Sequence, residues 1–571
     1  MVTRSIALRR TPRARLALAV TAAVVLVASG YASAAGAAST TSRAARSAVP
    51  AEPALKAVPR AVCGPHARQE TGIQGRVSRA DHVSGLAAKG LQCNAELVGK
   101  HTQEKAGVDG TIVGTVGGYK VLRYKDKQGN ECAYYDTSLL PPTNAGDGNL
   151  GVRVLDMNDR KNPKLTMILD SPSMVSPHES LVLSQKRGLL MAVAGNLAQA
   201  VVPGIVDIYD LEGPAGCSVP ILKSSTPLGI VGHESGLAPD GNTFYSASFS
   251  TKTIVALDIS NASLPVLLGT IAVNSHGLSL SADGTRAYVA KDQAYVAADG
   301  DTGDFGLGIY DVSDFQKRKP NPQGREIASL TWKGISIPQS TVPITIKGKP
   351  FILESDEFGP GASRLIDISN EKTPFVVSNL RLQVHQADIR KANPSMEDDP
   401  GVNTPFSFAQ DYTGHFCNVP TLVDPPIVAC GMAVSGLRIF NIEDPYHPYE
   451  AAYFTAPVQK RVLPEGSNWA YSMPTFVPER KEVWYSEAYT GFYAVKITNG
   501  AWPDAKPARS TPRVRPVVPP VVPPVATAAP AAGGTLAASG LPPWLPVAAL
   551  CSILLAVVMR RRRTARTAVS S

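Results

Sequence analysis

Charge is scarce in this sequence, at 18% of 571 residues, and aromatic side chains are scarcer, at 6%. With 44% hydrophobic residues, the low charge excludes a chain kept unfolded by self-repulsion and allows a large core. The few aromatics are not interleaved with basic residues, which excludes a stacking platform for single-stranded nucleic acid. The net charge of +9 sits at the ends, with five arginines and no acid in residues 1–34 and the same again in 541–571. The stretch between is close to neutral, at −1, so no nucleic-acid partner is expected. Also missing are a G-x-S-x-G elbow, a phosphate-binding P-loop and an H-E-x-x-H zinc motif. No C-x-x-C occurs, which removes thioredoxin-like and zinc-ribbon chemistry. The body has no long helix-period run, which argues against α-solenoids and Rossmann folds.

The ends read as addresses. Residues 1–34 form a secretory signal peptide: a basic stretch from Arg4 to Arg15, an apolar run at 16–30, and a small-residue cleavage site in ASA at 32–34. Residues 35–85 are an N-terminal extension. Residues 503–535 form a proline-rich stalk that includes VVPPVVPP at 517–524 and stays extended because proline fixes φ and lacks a donor. The last part, 536–571, holds LAASG (Leu536, Ala537, Ala538, Ser539, Gly540), an apolar run at 541–559 and four consecutive arginines. Such a run spans a bilayer as a transmembrane helix, with the arginines retained on the cytoplasmic side. The body is therefore expected outside the cell, held at the plasma membrane or the cell wall.

The order of pentapeptide, hydrophobic segment and basic tail resembles a sortase sorting signal. LAASG is similar to the LAxTG variant of the LPxTG signal of actinobacteria, and differs at Ser539, where the family has threonine. The resemblance implies cleavage between Ser539 and Gly540 and attachment to the cell wall by a sortase. A plain C-terminal membrane anchor is the alternative. Apart from Cys551 in the apolar tail, the cysteines are Cys63, Cys93, Cys132, Cys217, Cys417 and Cys430. Six in an exported chain predict three disulfides, with 15 possible connectivities. Cys417–Cys430 stands out because only a short polar loop with proline separates the two.

The middle repeats. VRVLDMND (152–159), DIYDLEG (207–213), IVALDISN (254–261), GIYDVSD (308–314), SRLIDISN (363–370), LRIFNIED (437–444) and FYAVKITN (492–499) share one pattern. Their central polar residues are Asp156, Asp210, Asp258, Asp311, Asp367, Asn441 and Lys496, spaced by 54, 48, 53, 56, 74 and 55 residues. Each copy reads as a strand ended by turn chemistry, and another strand follows. Upstream, HESGLAPDGNTFYSASF (233–249) and HGLSLSADGTRAYVAK (276–291) align without a gap, each with an Asp-Gly hairpin turn. Four antiparallel strands per repeat make the blade of a propeller. The expected fold is all-β, a seven-bladed β-propeller over 86–502. Because only AWPD and the stalk follow the seventh motif, NAELVGKHT (94–102) is expected to supply its outer strand and close the ring. Residues 386–413 read as a polar insertion within the sixth blade. The Asp-ended strands, IVALDIS (254–260) and SRLIDIS (363–369) above all, resemble the LVIVD repeat family of bacterial surface propellers. That resemblance implies the fold and carries no biochemical activity.

Histidine supplies the main candidate site. His178, His233 and His276 occupy equivalent repeat positions, His385 is read as opening the sixth blade, and Gln339 takes the matching place in the fifth. Inner strands of a propeller line its axis, so these side chains converge there. Several imidazoles around a channel suit a transition metal such as Zn, Cu, Fe or Ni. The plainer reading is a repeated residue that ties blades through the backbone. Glu179 and Glu234 adjoin two of the histidines, but on a strand neighbours face opposite ways. Asp299, Asp301 and Asp304 in DGDTGD form a candidate calcium loop, or a solvated acidic turn. Glu354, Asp356 and Glu357 read equally well as surface residues. The expected function is a surface-held binding or adhesion module for an extracellular protein or glycan. The alternative is an extracellular metal-dependent enzyme, oxidoreductase-like by fold-level analogy with copper-binding propellers.

Overall fold

Described in a computed structural model are residues 52–504, apart from 103–116, 137–150, 176, 195–203, 230–231, 249–250, 292–304, 333–335, 359–360, 403–410, 459–467 and 489. The signal peptide, stalk, LAASG motif, apolar tail and the Asp299, Asp301, Asp304 loop lie outside the described residues. Among those described, no helix is long and apolar enough to cross a membrane.

Seven antiparallel sheets follow one another along the chain. Blade I holds strands 121–125, 131–136, 152–156 and 164–169, and blade II holds 182–184, 189–193, 204–210 and 221–229. Blade III runs from strand 235–237 to strand 266–272, blade IV from 275–280 to 325–331 and blade V from 337–346 to 375–380. Blade VI runs from 416–418 to 449–455, and blade VII from 475–477 to 491–497. The second and third strands of a blade are buried along their length, as in 131–136 and 427–431, because neighbouring blades cover both faces. Outer strands such as Lys164–Leu169 keep exposed positions. A hydrophobic cluster fills each interface between blades. Val121, Tyr135 and Leu155 of blade I meet Trp484, Phe492 and Ala494 of blade VII, for example. The protein is thus a seven-bladed β-propeller.

The repeated aspartate has a local cause. Asp156, Asp210, Asp258, Asp311 and Asp367 each accept on Oδ1 the N–H two residues further on, at 2.7–2.9 Å. Asn441 does the same at 3.1 Å. These Asx turns end the third strand and set the turn into the fourth.

Closure is made by residues 91–101. Leu91–Cys93 adds a fifth strand to blade VI, pairing with 453–455, and Ala95–His101 is the fourth strand of blade VII, pairing with 492–497. One segment therefore latches two blades. Asn94 is the pivot between them, at φ 51°. Its side chain donates to the Val62 and Ala451 carbonyls at 2.9 Å and accepts from the Gly64 N–H at 2.8 Å. Short polar side chains adopt this left-handed backbone most readily after glycine. The extension before it is part of the fold. Glu52 pairs with Arg364 of blade V at 2.8 Å, and Glu70 with Arg438 of blade VI at 3.1 Å. These two buried arginines sit at the same position of the repeated strand, three residues before Asp367 and Asn441.

All six body cysteines are bridged, as Cys63–Cys93, Cys132–Cys217 and Cys417–Cys430. The last joins directly opposed residues of the first two strands of blade VI. Cys132–Cys217 ties blade I to the turn after the third strand of blade II. Residues 381–415 do not interrupt the sixth blade. They link the outer strand of blade V to the inner strand of blade VI and carry short helical turns at 383–385, 387–392 and 394–398. Asn94→Ala is expected to lower the unfolding free energy by about 3 kcal/mol, from lost hydrogen bonds and a strained left-handed residue. Asn94→Gly should keep the backbone part and lose less, as measured by the urea midpoint.

Candidate metal centre on the propeller axis

Each inner strand begins beside the axis, on the same face of the ring. The residues at these starts are Tyr119, His178, His233, His276, Gln339, His415 and Tyr471, one per blade in order, and all are buried. They form a closed circuit. Ring centroids are 4.5 Å apart for Tyr119–His178, 4.2 Å for His178–His233 and 4.1 Å for His233–His276. His276 Nδ1 then meets the Gln339 carbonyl at 3.1 Å, and Gln339 Nε2 meets His415 Nε2 at 3.1 Å. His415 and Tyr471 lie 5.0 Å apart, and Tyr471 stacks back on Tyr119 at 6.4 Å.

Two carboxylates enter this circuit. Glu179 Oε2 lies 3.2 Å from His233 Nε2 and 3.6 Å from His276 Nε2, while its Oε1 lies 3.3 Å from His415 Nε2. Glu357, at the end of the second strand of blade V, places Oε2 3.2 Å from His276 Nε2 and Oε1 3.3 Å from His415 Nε2. Backbone carbonyls orient two imidazoles. His276 Nδ1 faces Gln339 O, and His415 Nδ1 faces Tyr471 O at 2.8 Å, which leaves each Nε2 to the centre. Metal-binding histidines are commonly fixed in this way. Glu179, His233, His276 and Glu357 each offer one donor atom, all within 4.8 Å of one another.

The charges are held apart by their surroundings. Burial alone would lower His276 and His415, but Glu179 and Glu357 outweigh it and hold them up, at about 9 and about 10. His178 is pushed down to about 3 by burial and by His233 beside it. Burial would raise Glu357, yet bonds from His276 and His415 keep it at about 2. Glu179 is held well below the usual range against the same burial, by His233 and His276 above all. Glu234, the neighbour of His233, turns instead to Lys120 of blade I at 3.0 Å. It needs the glycine at 277, where a Cβ would stand 1.8 Å from Glu234 Oε2.

Of the histidines singled out in the sequence, His178, His233 and His276 come together, and His385 does not. His385 lies in the turn 383–385 of the long connection, and its Nδ1 accepts the Leu382 N–H at 3.0 Å. Burial and Arg381 drive its pKa well down. The blade VI position belongs to His415, which lies 26 residues before Asn441, much as His233 lies 25 before Asp258. Counting back from the repeated polar residue finds it, whereas reading forward from blade V stops at the wrong histidine. Glu179 enters the centre because His178, at φ 50°, precedes the regular strand 182–184, so the alternation of strand faces does not apply. Glu354 and Asp356 are fully buried against Arg364 rather than on the surface.

No family model matches the chain, and no curated protein sequence does. Among solved structures, the periplasmic gluconolactonase PpgL of Pseudomonas aeruginosa aligns at 12% identity and a TM-score of 0.42, covering 67% of this chain and 98% of that one. A protein from Lactobacillus plantarum aligns at 14% identity and a TM-score of 0.39, covering 57% and 82%. Hydrazine synthase of Kuenenia stuttgartiensis aligns at 13% identity and a TM-score of 0.35, covering 54% and 72%. Likeness at this level assigns no activity.

The Lys120–Glu234 pair gives a local test. Its side chains are 3% and 5% exposed, so Lys120→Met should cost about 3–5 kcal/mol by stranding a buried carboxylate. Adding Glu234→Gln to Lys120→Met should recover most of that loss in urea denaturation.

Proposed function

We propose that this protein is an exported, surface-held propeller that binds a divalent transition metal on its axis through Glu179, His233, His276 and Glu357. One observation carries the reading: the donor separations of 3.2, 3.6 and 3.2 Å along His233–Glu179–His276–Glu357. Ligands about 2.05 Å from a tetrahedral ion stand roughly 3.3 Å apart, so three of the six edges of such a shell are already near that length, and all four donors lie within 4.8 Å. A mixed imidazole and carboxylate set suits zinc, manganese or iron(II), and copper by raw affinity. The ion would supply a Lewis acid. The chain's own contribution is to fix His276 through Gln339 O, to exclude bulk water, and to keep both carboxylates ionised. The binding role expected of a propeller is on this reading first a metal-binding one, and an extracellular metal-dependent enzyme follows naturally from it.

Export and anchoring belong to the same proposal. The signal-like N-terminus, the proline-rich stalk, the sortase-like LAASG and the LVIVD-like repeats support it, and three disulfides agree with an oxidising compartment. A second reading, adhesion to a protein or glycan, is favoured by exposed Ile221, Leu222, Leu264, Val266 and Leu267 on the rims of blades II and III. The full-length chain, stripped with chelator and reloaded with Zn²⁺, should retain at least one ion per chain after dialysis. His233→Ala with Glu179→Gln should weaken binding by at least about 100-fold, since loss of outer-shell groups alone costs 10–100-fold. A folded wild-type chain that retains no Zn²⁺, Mn²⁺ or Cu²⁺ would remove the metal reading and leave adhesion.

A further inference from the structure

We propose that the axial centre holds two divalent ions, the second bound by His415, Gln339 and the second oxygens of Glu179 and Glu357. The inference rests on the first ion, proposed at His233 and His276. Both carboxylates span the same two imidazoles. Glu179 reaches His276 through Oε2 at 3.6 Å and His415 through Oε1 at 3.3 Å. Glu357 reaches His276 through Oε2 at 3.2 Å and His415 through Oε1 at 3.3 Å. Each carboxylate thus turns its second oxygen toward the same carbonyl-anchored imidazole, His415. Two carboxylates arranged alike, on different blades, form the double bridge of a dinuclear centre.

Gln339 supplies an independent pointer. It is fully buried, and its Oε1 has no hydrogen-bond partner. Its Nε2 meanwhile lies 2.8 Å from Glu179 Oε1 and 3.1 Å from His415 Nε2. Turning the amide over would place a neutral oxygen donor among the same atoms. The second ion would then have one imidazole, two carboxylate oxygens and one amide oxygen. Carboxylate bridges of this kind suit ions roughly 3.5–4 Å apart, the spacing of two-metal hydrolytic sites. Two divalent ions over two carboxylates leave two positive charges. A further anionic ligand offsets one or both of them: hydroxide or a substrate carboxylate removes one, a dianionic phosphate both. The neighbouring Lys120 is already matched by Glu234 and adds no surplus.

The number of ions decides between one site and two. The full-length chain is stripped with chelator, loaded with Zn²⁺, dialysed, and its zinc counted against protein. Two per chain, falling to one in His415→Ala, is the expected result. One per chain in the wild type would overturn the second ion and leave the first intact. None would overturn both. Two in the wild type and still two in His415→Ala would overturn the assignment of the second ion to His415. Should His415→Ala fail to fold, Mn²⁺-loaded wild type decides by electron paramagnetic resonance. A broadened, exchange-coupled signal at two equivalents supports the bridged pair. The six-line spectrum of isolated Mn²⁺ at saturation sinks it.

Discussion

The pairing of Ala95–His101 with 492–497 is the contact on which the other features of the molecule depend. Each blade buries its second and third strands only because a neighbour lies against each face, so an open row of seven would leave two apolar faces in water. Closing the row covers both faces, and the strand 95–101 completes the sheet of blade VII. The latch runs through Asn94 into a second pairing on blade VI, and Cys63–Cys93 fastens the strand that makes it. N- and C-terminal parts of the chain are thereby held in one sheet. Only in a closed ring do seven strand starts point at one another, so the axial centre follows from closure.

That geometry turns repetition into chemistry. Duplicating a blade with a histidine at the start of its inner strand places a second imidazole one seventh of a turn away, at contact distance. The centroid separations of 4.2 and 4.1 Å along His178, His233 and His276 show how tightly successive copies meet. Crowded imidazoles cannot all be charged in a buried site. Departures from the repeat relieve this. Glu179 and Glu357 bring carboxylate oxygens to His276 and His415, while burial and His233 push His178, beside Tyr119, down. Gly277 replaces the glutamate of the preceding two copies and gives Glu234 room to turn toward Lys120. The centre is built where the copies differ.

What could be read in the sequence follows the same division. Blade number, the Asx-ended strands and the ring-closing strand were legible because they rest on local rules: apolar runs, turn residues and a constant spacing. The Cys417–Cys430 pairing was legible because thirteen residues separate the two in a hairpin. The convergence of His178, His233 and His276 could be inferred from repeat position alone. His415 was hidden by the long connection 381–415, which breaks the spacing and offers His385 as a decoy. Glu357 was hidden because nothing local distinguishes it from Glu354 and Asp356, which meet Arg364 instead. Its role exists only after blade V has been set beside blade IV.

The extension at 52–90 shows a parallel economy at the outer layers. Arg364 and Arg438 are copies of one position, and both are buried deeply enough that neither could stay charged without carboxylates nearby. Blade V provides Glu354 and Asp356, and blade VI provides Glu450, from their own strands. Glu52 and Glu70 complete the two sets from a single passing segment. A stretch that looks like a spacer between a signal peptide and a repeat domain thus carries charges that two blades require. Removing it would leave each of two buried arginines one carboxylate short, so the propeller proper begins well before its first repeated strand.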